Sequence, residues 1–269
     1  MKIYRNLETI QKREQTGRRF SMVGLLILFV GLLASFVPSW YPPETEVNSV
    51  VASFLQTNWV YISFVALPLG FICASIGSFF INRFASRRWP GRKTLERPDE
   101  VLERSLKGLD NKYSYFVWSL PANYVVVGPC GALIFILRSD RGKIVVDGDR
   151  WREPFRISRI FTVFAREGVG NPSREIEEQQ SQLRQLLQNA AIEDEAMAEE
   201  VANVPIEGAA VFLHPEMELD IQSSPLPVLT VDQVKSFVRR SVQENRLRSS
   251  TVRHLTEYLE SQADVGSVE

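Results

Sequence analysis

The sequence predicts an α/β domain with a mixed sheet, preceded by a two-helix hairpin of membrane-spanning character. Three observations carry this. Residues 20–37 and 59–81 are uncharged apolar runs of 18 and 23 residues. Residues 125–127 and 132–137 are short continuous apolar runs, as in central strands covered on both faces. Segments with helical spacing stand before, between and after the strand runs, the order of a mixed α/β sheet.

The hairpin comes first. As a helix, residues 20–37 would cover about 27 Å, close to the ~30 Å hydrocarbon core of a bilayer. Residues 38–58 between the spans hold Pro42-Pro43, Glu44 and Glu46 and no Lys or Arg. Residues 1–20 carry six Lys/Arg against Glu8 and Glu14, and residues 82–93 carry Arg83, Arg87, Arg88, Arg92 and Lys93 with no acid. The positive-inside rule therefore predicts two spans in the cell membrane with both termini cytoplasmic. Trp40, Tyr41, Trp59 and Tyr61 fall at the outer edge, where amphipathic rings favour the interface. A cleavable signal peptide fits poorly, since the apolar run is long and a second follows. Gly70, Ala74 and Ser78 give the second span a small-residue face, expected to receive the first span. Neither span holds an ionisable residue, which argues against transport and for an anchor.

After the basic linker, Asp99-Glu100 suits a helix start, and Val101, Leu102, Leu106 and Leu109 follow at helical spacing. Strands are expected over 113–120, 123–128 and 132–138, then a hairpin through 139–142 into a strand over 143–147. Asn171-Pro172 opens a polar helix with a narrow stripe at Ile176, Leu183, Leu186 and Leu187 and an acidic exposed face. Residues 209–213 read as a strand, with 217–221 paired nearby. Thr230-Val-Asp-Gln233 is a capping-box start, and Ser250 is the expected cap of a last helix. The expected division is 1–93 for the tail, spans and linker, 94–248 for the sheet domain, and 249–269 for a C-terminal helix and tail.

Charge narrows the function classes. From residue 94 onward there are 20 basic and 28 acidic residues, a poor balance for salt-driven nucleic-acid binding by the whole domain. Cys73 and Cys130 form no disulfide framework and fit a reducing compartment. His214 and His254 stand far apart without metal-ligand spacing.

The run Val125-Val-Val-Gly-Pro129 with Gly131, followed by Gly142, Trp151 and Asn171-Pro172, resembles the nuclease-related domain (NERD) family. That family is a branch of the PD-(D/E)xK restriction-endonuclease-like fold. Asp99, Leu102, Leu106 and Leu109 match its acid-led first helix, and the resemblance covers residues 97–240. It implies a metal-dependent nuclease fold, but the catalytic positions are replaced. The family's metal-binding Asp falls on Asn123, its Glu on Ile136, its Lys on Arg138, and its helix-start Gln on Glu175.

Phosphodiester hydrolysis in such a site needs carboxylates to hold Mg²⁺ and a group to activate water. Asn123 offers one neutral oxygen and Ile136 none. Arg138 stays protonated, so it can contact a phosphate but not act as a base. The expectation is a degenerate nuclease with no cofactor, a membrane-anchored binding or scaffolding module. The alternative is an active Mg²⁺-dependent nuclease whose ligands have moved to Asp140, Asp147 and Asp149. Those acids also read simply as turn residues, and Glu175 as an acid in a helix's first turn.

Residues 138–166 are locally basic, with Arg138, Arg141, Lys143, Arg150 and Arg152 as candidate phosphate contacts. A solvated hairpin, a surface facing anionic lipid, or pairing with the acidic segment 175–200 is preferred there over a nucleic-acid face. The expected partners are membrane lipids and, through the acidic helix, a protein.

Overall fold

The computed structural model describes residues 1–42, 44, 49–86, 96–139, 142–154, 170–193, 203–264 and 267–268. They form two compact units, the described residues between 12 and 86 and the sheet domain made by the others.

In the first unit, α1 (Leu7–Ser35) and α3 (Val50–Phe84) are both long and apolar enough to cross a membrane, with a one-turn helix α2 (Val37–Trp40) after α1. Both outrun their expected spans at the N-terminal end, α1 by thirteen residues. The Thr9 N–H donates to Asn6 Oδ1 at 2.8 Å, so Asn6 gives α1 a polar start well before the apolar run. Large apolar side chains point outward along both helices, Leu25 at 65% and Phe64 at 78% exposure, as a lipid-facing surface requires.

The small-residue face of α3 does receive α1. A Cβ on Gly24 would lie 2.7 Å from Ala74 N and 2.9 Å from Gly70 O, and one on Gly77 would lie 2.6 Å from Ser21 N. Ser63 Oγ donates to Gly31 O at 3.2 Å. Gly17, Gly24 and Gly31, seven residues apart, thus form the matching face on α1. Gly24→Val is expected to cost the hairpin about 1–3 kcal/mol by overpacking. Thermal unfolding of the full chain in detergent, followed by far-UV circular dichroism, checks it.

The sheet domain is built on a seven-stranded mixed sheet ordered β10-β1-β2-β3-β4-β7-β9. Its strands are β1 (Lys2–Arg5), β2 (Ser114–Val117), β3 (Tyr124–Gly128), β4 (Gly131–Arg138), β7 (Ile206–Phe212), β9 (Val228–Thr230) and β10 (Ser267–Val268). β2, β3 and β4 run as an antiparallel meander, and β7 lies parallel to β4. Gly131, at φ +90°, makes the β3–β4 turn, where only a residue without Cβ passes under Pro205. A smaller sheet, ordered β6-β5-β8, holds β5 (Gly142–Asp147), β6 (Arg150–Arg152) and β8 (Met217–Ser223).

Helices cover both faces of the large sheet. On one, Leu183 and Leu187 of α5 (Pro172–Glu193) and Leu255 and Leu259 of α7 (Ser249–Gln262) join Phe116, Val125, Val127 and Ile134 in one core. On the other, Phe135 meets Phe237 of α6 (Val234–Glu244) edge-on, and the Tyr115 hydroxyl reaches Asp99 O of α4 (Pro98–Leu106) at 3.5 Å. Both helix pairs follow from alternation, since β3 and β4 are buried at every residue.

Four expectations change. β4 and β5 are not a paired hairpin. β4 pairs β7 while β5 pairs β8, both in parallel, so the two parallel neighbours pass together from one sheet to the other. For the same reason β8 does not pair with β7. Ser250 does not cap α7, because the helix begins at Ser249 after Arg248, with no side-chain cap.

The fourth change is the largest. Residues 2–5, expected in a cytoplasmic tail, are an inner strand, parallel to β2 with Ile3 opposite Tyr115. Tyr4 is buried and stacks on Phe116 at 4.9 Å. Arg5 is buried beside Asp99, with Nε 3.0 Å from Asp99 Oδ2 and Nη2 2.8 Å from Glu103 Oε2. Arg97 Nε closes the cluster 3.1 Å from Asp99 Oδ1. Burial pushes the Asp99 carboxyl up, while Arg97 and Arg5 pull it down.

Candidate functional site

The positions singled out by sequence converge on the face of the large sheet covered by α5. Val125 lies opposite Ile134, and continuing that register brings Asn123, in the bend just before β3, level with Ile136. Strand alternation keeps Ile136 and Arg138 on the side occupied by Ile134, toward α5. The Asn123 N–H donates to Gln179 Oε1 of α5 at 3.0 Å, and Asn123 O accepts from Trp118 N–H at 2.8 Å.

Ile136 is fully buried. The Arg138 side chain, at the end of β4, is 3% exposed and ion-paired through Nη2 with Glu175 Oε1 in the first turn of α5. Asn171 sets that turn, with its Oδ1 accepting the Arg174 N–H at 3.2 Å. Gly170 precedes it at φ +59°, lying against both Arg138 and Glu175. Beside the pair, Trp151 of β6 stacks on Phe212 at 6.2 Å and donates its Nε1–H to buried Ser173 Oγ at 3.1 Å.

The chemistry follows from this geometry. The charge of this buried guanidinium is matched by the Glu175 carboxylate, so Arg138 ties the end of β4 to the first turn of α5. Glu175 is the one carboxylate among the four matched positions, and it faces Arg138. Mg²⁺ asks for a near-octahedral oxygen shell, which Asn123, Ile136 and a paired Glu175 do not supply.

The other candidates lie on the smaller sheet. Asp147 Oδ1 accepts from Ser223 Oγ at 3.1 Å, and the Gly148 N–H donates to the same Ser223 Oγ at 2.8 Å, so Asp147 shapes the β5–β6 turn. Asp149, Arg150 and Arg152 are exposed. Lys143 Nζ lies 2.9 Å from Asp220 Oδ2 and 3.5 Å from Glu218 Oε1. The bond to Asp220 pushes its ammonium above the usual lysine range, so the charge is kept and shared with the acids of β8. Asp140, Arg141 and the basic residues 156–166 fall outside the described residues, as does the acidic segment beyond Glu193. Among the described residues no three His, Cys, Asp or Glu gather to hold a metal ion.

Sequence reasoning missed Gln179 and Ser173. The signal for Gln179 was available, since it stands four residues after Glu175 and so shares its helix face. Ser173 could be found only through Trp151, which comes from another sheet. No known family, characterised protein or solved structure matches the chain in comparisons of sequence and fold.

Proposed function

We propose that the chain is a two-span membrane protein of nuclease-related ancestry, with the sheet domain and both termini at the cytoplasmic face. On this reading the domain is restriction-endonuclease-like, its metal site has been taken apart, and it serves as a binding or scaffolding module. The observation that carries the reading is the Arg138–Glu175 ion pair beside buried Ile136. At the positions where the resembled family places its water-activating lysine and helix-start Gln, this chain keeps an ion pair between sheet and helix, and the family's Glu ligand is replaced by Ile136. The shared face of Asn123, Ile136, Arg138 and Glu175 supports the resemblance, because scattered positions would have argued against it. The two long apolar helices support the anchor.

Hydrolysis tests the proposal. The full chain in detergent, given Mg²⁺ or Mn²⁺, is expected to leave single- and double-stranded DNA and RNA intact over hours. Cleavage that disappears in an Asp147→Asn/Asp149→Asn variant would overturn it and establish relocated ligands.

A further inference from the structure

The sheet domain carries a cavity on its β1–β2 side, away from Arg138. It holds about 250 Å³ and is bounded by β1, the approach to β2, the β3–β4 turn at Pro129, and the start of α7. Four cations line it, Lys2, Lys112, Arg246 and Arg253, against two acids, Glu257 and Glu260. The acids are already engaged: Glu260 accepts from the Tyr4 hydroxyl and lies 3.5 Å from Lys2 Nζ, and Glu257 lies 3.8 Å from Arg253 Nε.

Lys112 and Arg246 remain. Among the described residues neither faces an acid at ion-pair distance, and both are exposed at the rim. They bring their charge to one opening from opposite ends of the domain's sequence. Leu247 holds this arrangement, since its N–H donates to Pro129 O at 2.9 Å and ties the segment before α7 to the β3–β4 turn.

The remaining lining matches the same charge. Ser249 and Thr256 offer hydroxyl donors, and the first turn of α7 opens on the cavity with no side chain capping it. Leu247, Val252 and Pro129 give an apolar wall. Two unneutralised cations, hydroxyl donors and free first-turn N–H groups suit a tetrahedral dianion, which presents several acceptor oxygens at once. The apolar wall leaves room for a compact organic group beside it.

We infer that this cavity binds a phosphate monoester or diphosphate, held chiefly by Lys112 and Arg246. The site is independent of the Arg138 region, so it stands whether or not the sheet is a former nuclease. The shared chemistry could come from a soluble phosphorylated metabolite or from a lipid headgroup.

The test uses the full chain in detergent and two probes, pyrophosphate and dihexanoyl phosphatidate below its micelle concentration. At least one is expected to raise the thermal midpoint of the sheet domain saturably. A Lys112→Glu/Arg246→Glu variant should weaken that response at least tenfold, while Arg174→Glu/Arg184→Glu, with the same charge change on α5, should keep it. A response to pyrophosphate alone supports a soluble ligand, and one to phosphatidate alone supports a headgroup. No response to either probe, or an equal response in both double variants, would overturn the inference.

Discussion

Arg5→Met is expected to destabilise the sheet domain by about 3 kcal/mol, although Arg5 stands five residues from the start of the sequence. The substitution keeps an unbranched apolar stem and removes the guanidinium, leaving the 2%-exposed Asp99 carboxylate with Arg97 alone and Glu103 without its 2.8 Å contact. Breaking a buried ion pair from one side costs about 3–5 kcal/mol, and the surviving Arg97 contact places this case at the lower end. For a domain of this size the midpoint should fall by roughly 6–12 °C. Lys2→Met removes a cation from the same strand whose side chain is 64% exposed, and it should cost under about 1 kcal/mol. Thermal unfolding of the two variants, followed by fluorescence of buried Trp118, checks the pair. Equal, small effects would mean that β1 is a passive edge rather than part of the core.

Gly208→Val should cost nearly as much, and for a different reason. Gly208 sits in β7 directly under α5, where any Cβ would overlap the Cγ2 of Ile176. The residue is not needed for its φ, which is ordinary, but for the close approach of helix to sheet. Valine must lift the first turns of α5, which carry Glu175 toward Arg138 and Gln179 toward Asn123. Overpacking of this kind typically costs about 1–3 kcal/mol, and a rigid backbone on one side places the cost near the top of that range. Gly142→Ala is the comparison. Gly142 has φ +103° with nothing within 4 Å of a Cβ, so only backbone strain of about 1 kcal/mol should register. Urea titrations of the full chain in detergent measure both.

These two positions also show what could be read from residues and what could not. The central strands were legible because β3 and β4 are buried on both faces, so their apolar runs are continuous and cannot be mistaken for solvent-facing alternation. The two long apolar helices were legible from length and lack of charge. The four residues of β1 were not, because they sit inside a basic segment and pair with a strand about 110 residues away. Nothing local distinguishes Lys-Ile-Tyr-Arg in a tail from the same residues in a sheet, and only the parallel partner decides. The pairing of β5 with β8 was hidden likewise, since a glycine at residue 142 signals a turn but not which sheet the chain enters next. At the candidate site, the replaced identities of Asn123, Ile136 and Arg138 were plain in the sequence. That Arg138 is buried and matched by Glu175 was not, because the pairing depends on how closely α5 approaches the sheet, which Gly208 and Ile176 set.

The central claim, that the face under α5 no longer holds a metal, is tested most directly by Mn²⁺ binding. Electron paramagnetic resonance of the full chain in detergent, titrated with Mn²⁺, should show all added ion as the free aqua signal up to millimolar concentration. Loss of that signal at one Mn²⁺ per chain, restored by Glu175→Gln or by Asp147→Asn/Asp149→Asn, would contradict the account and return the domain to the metal-dependent class.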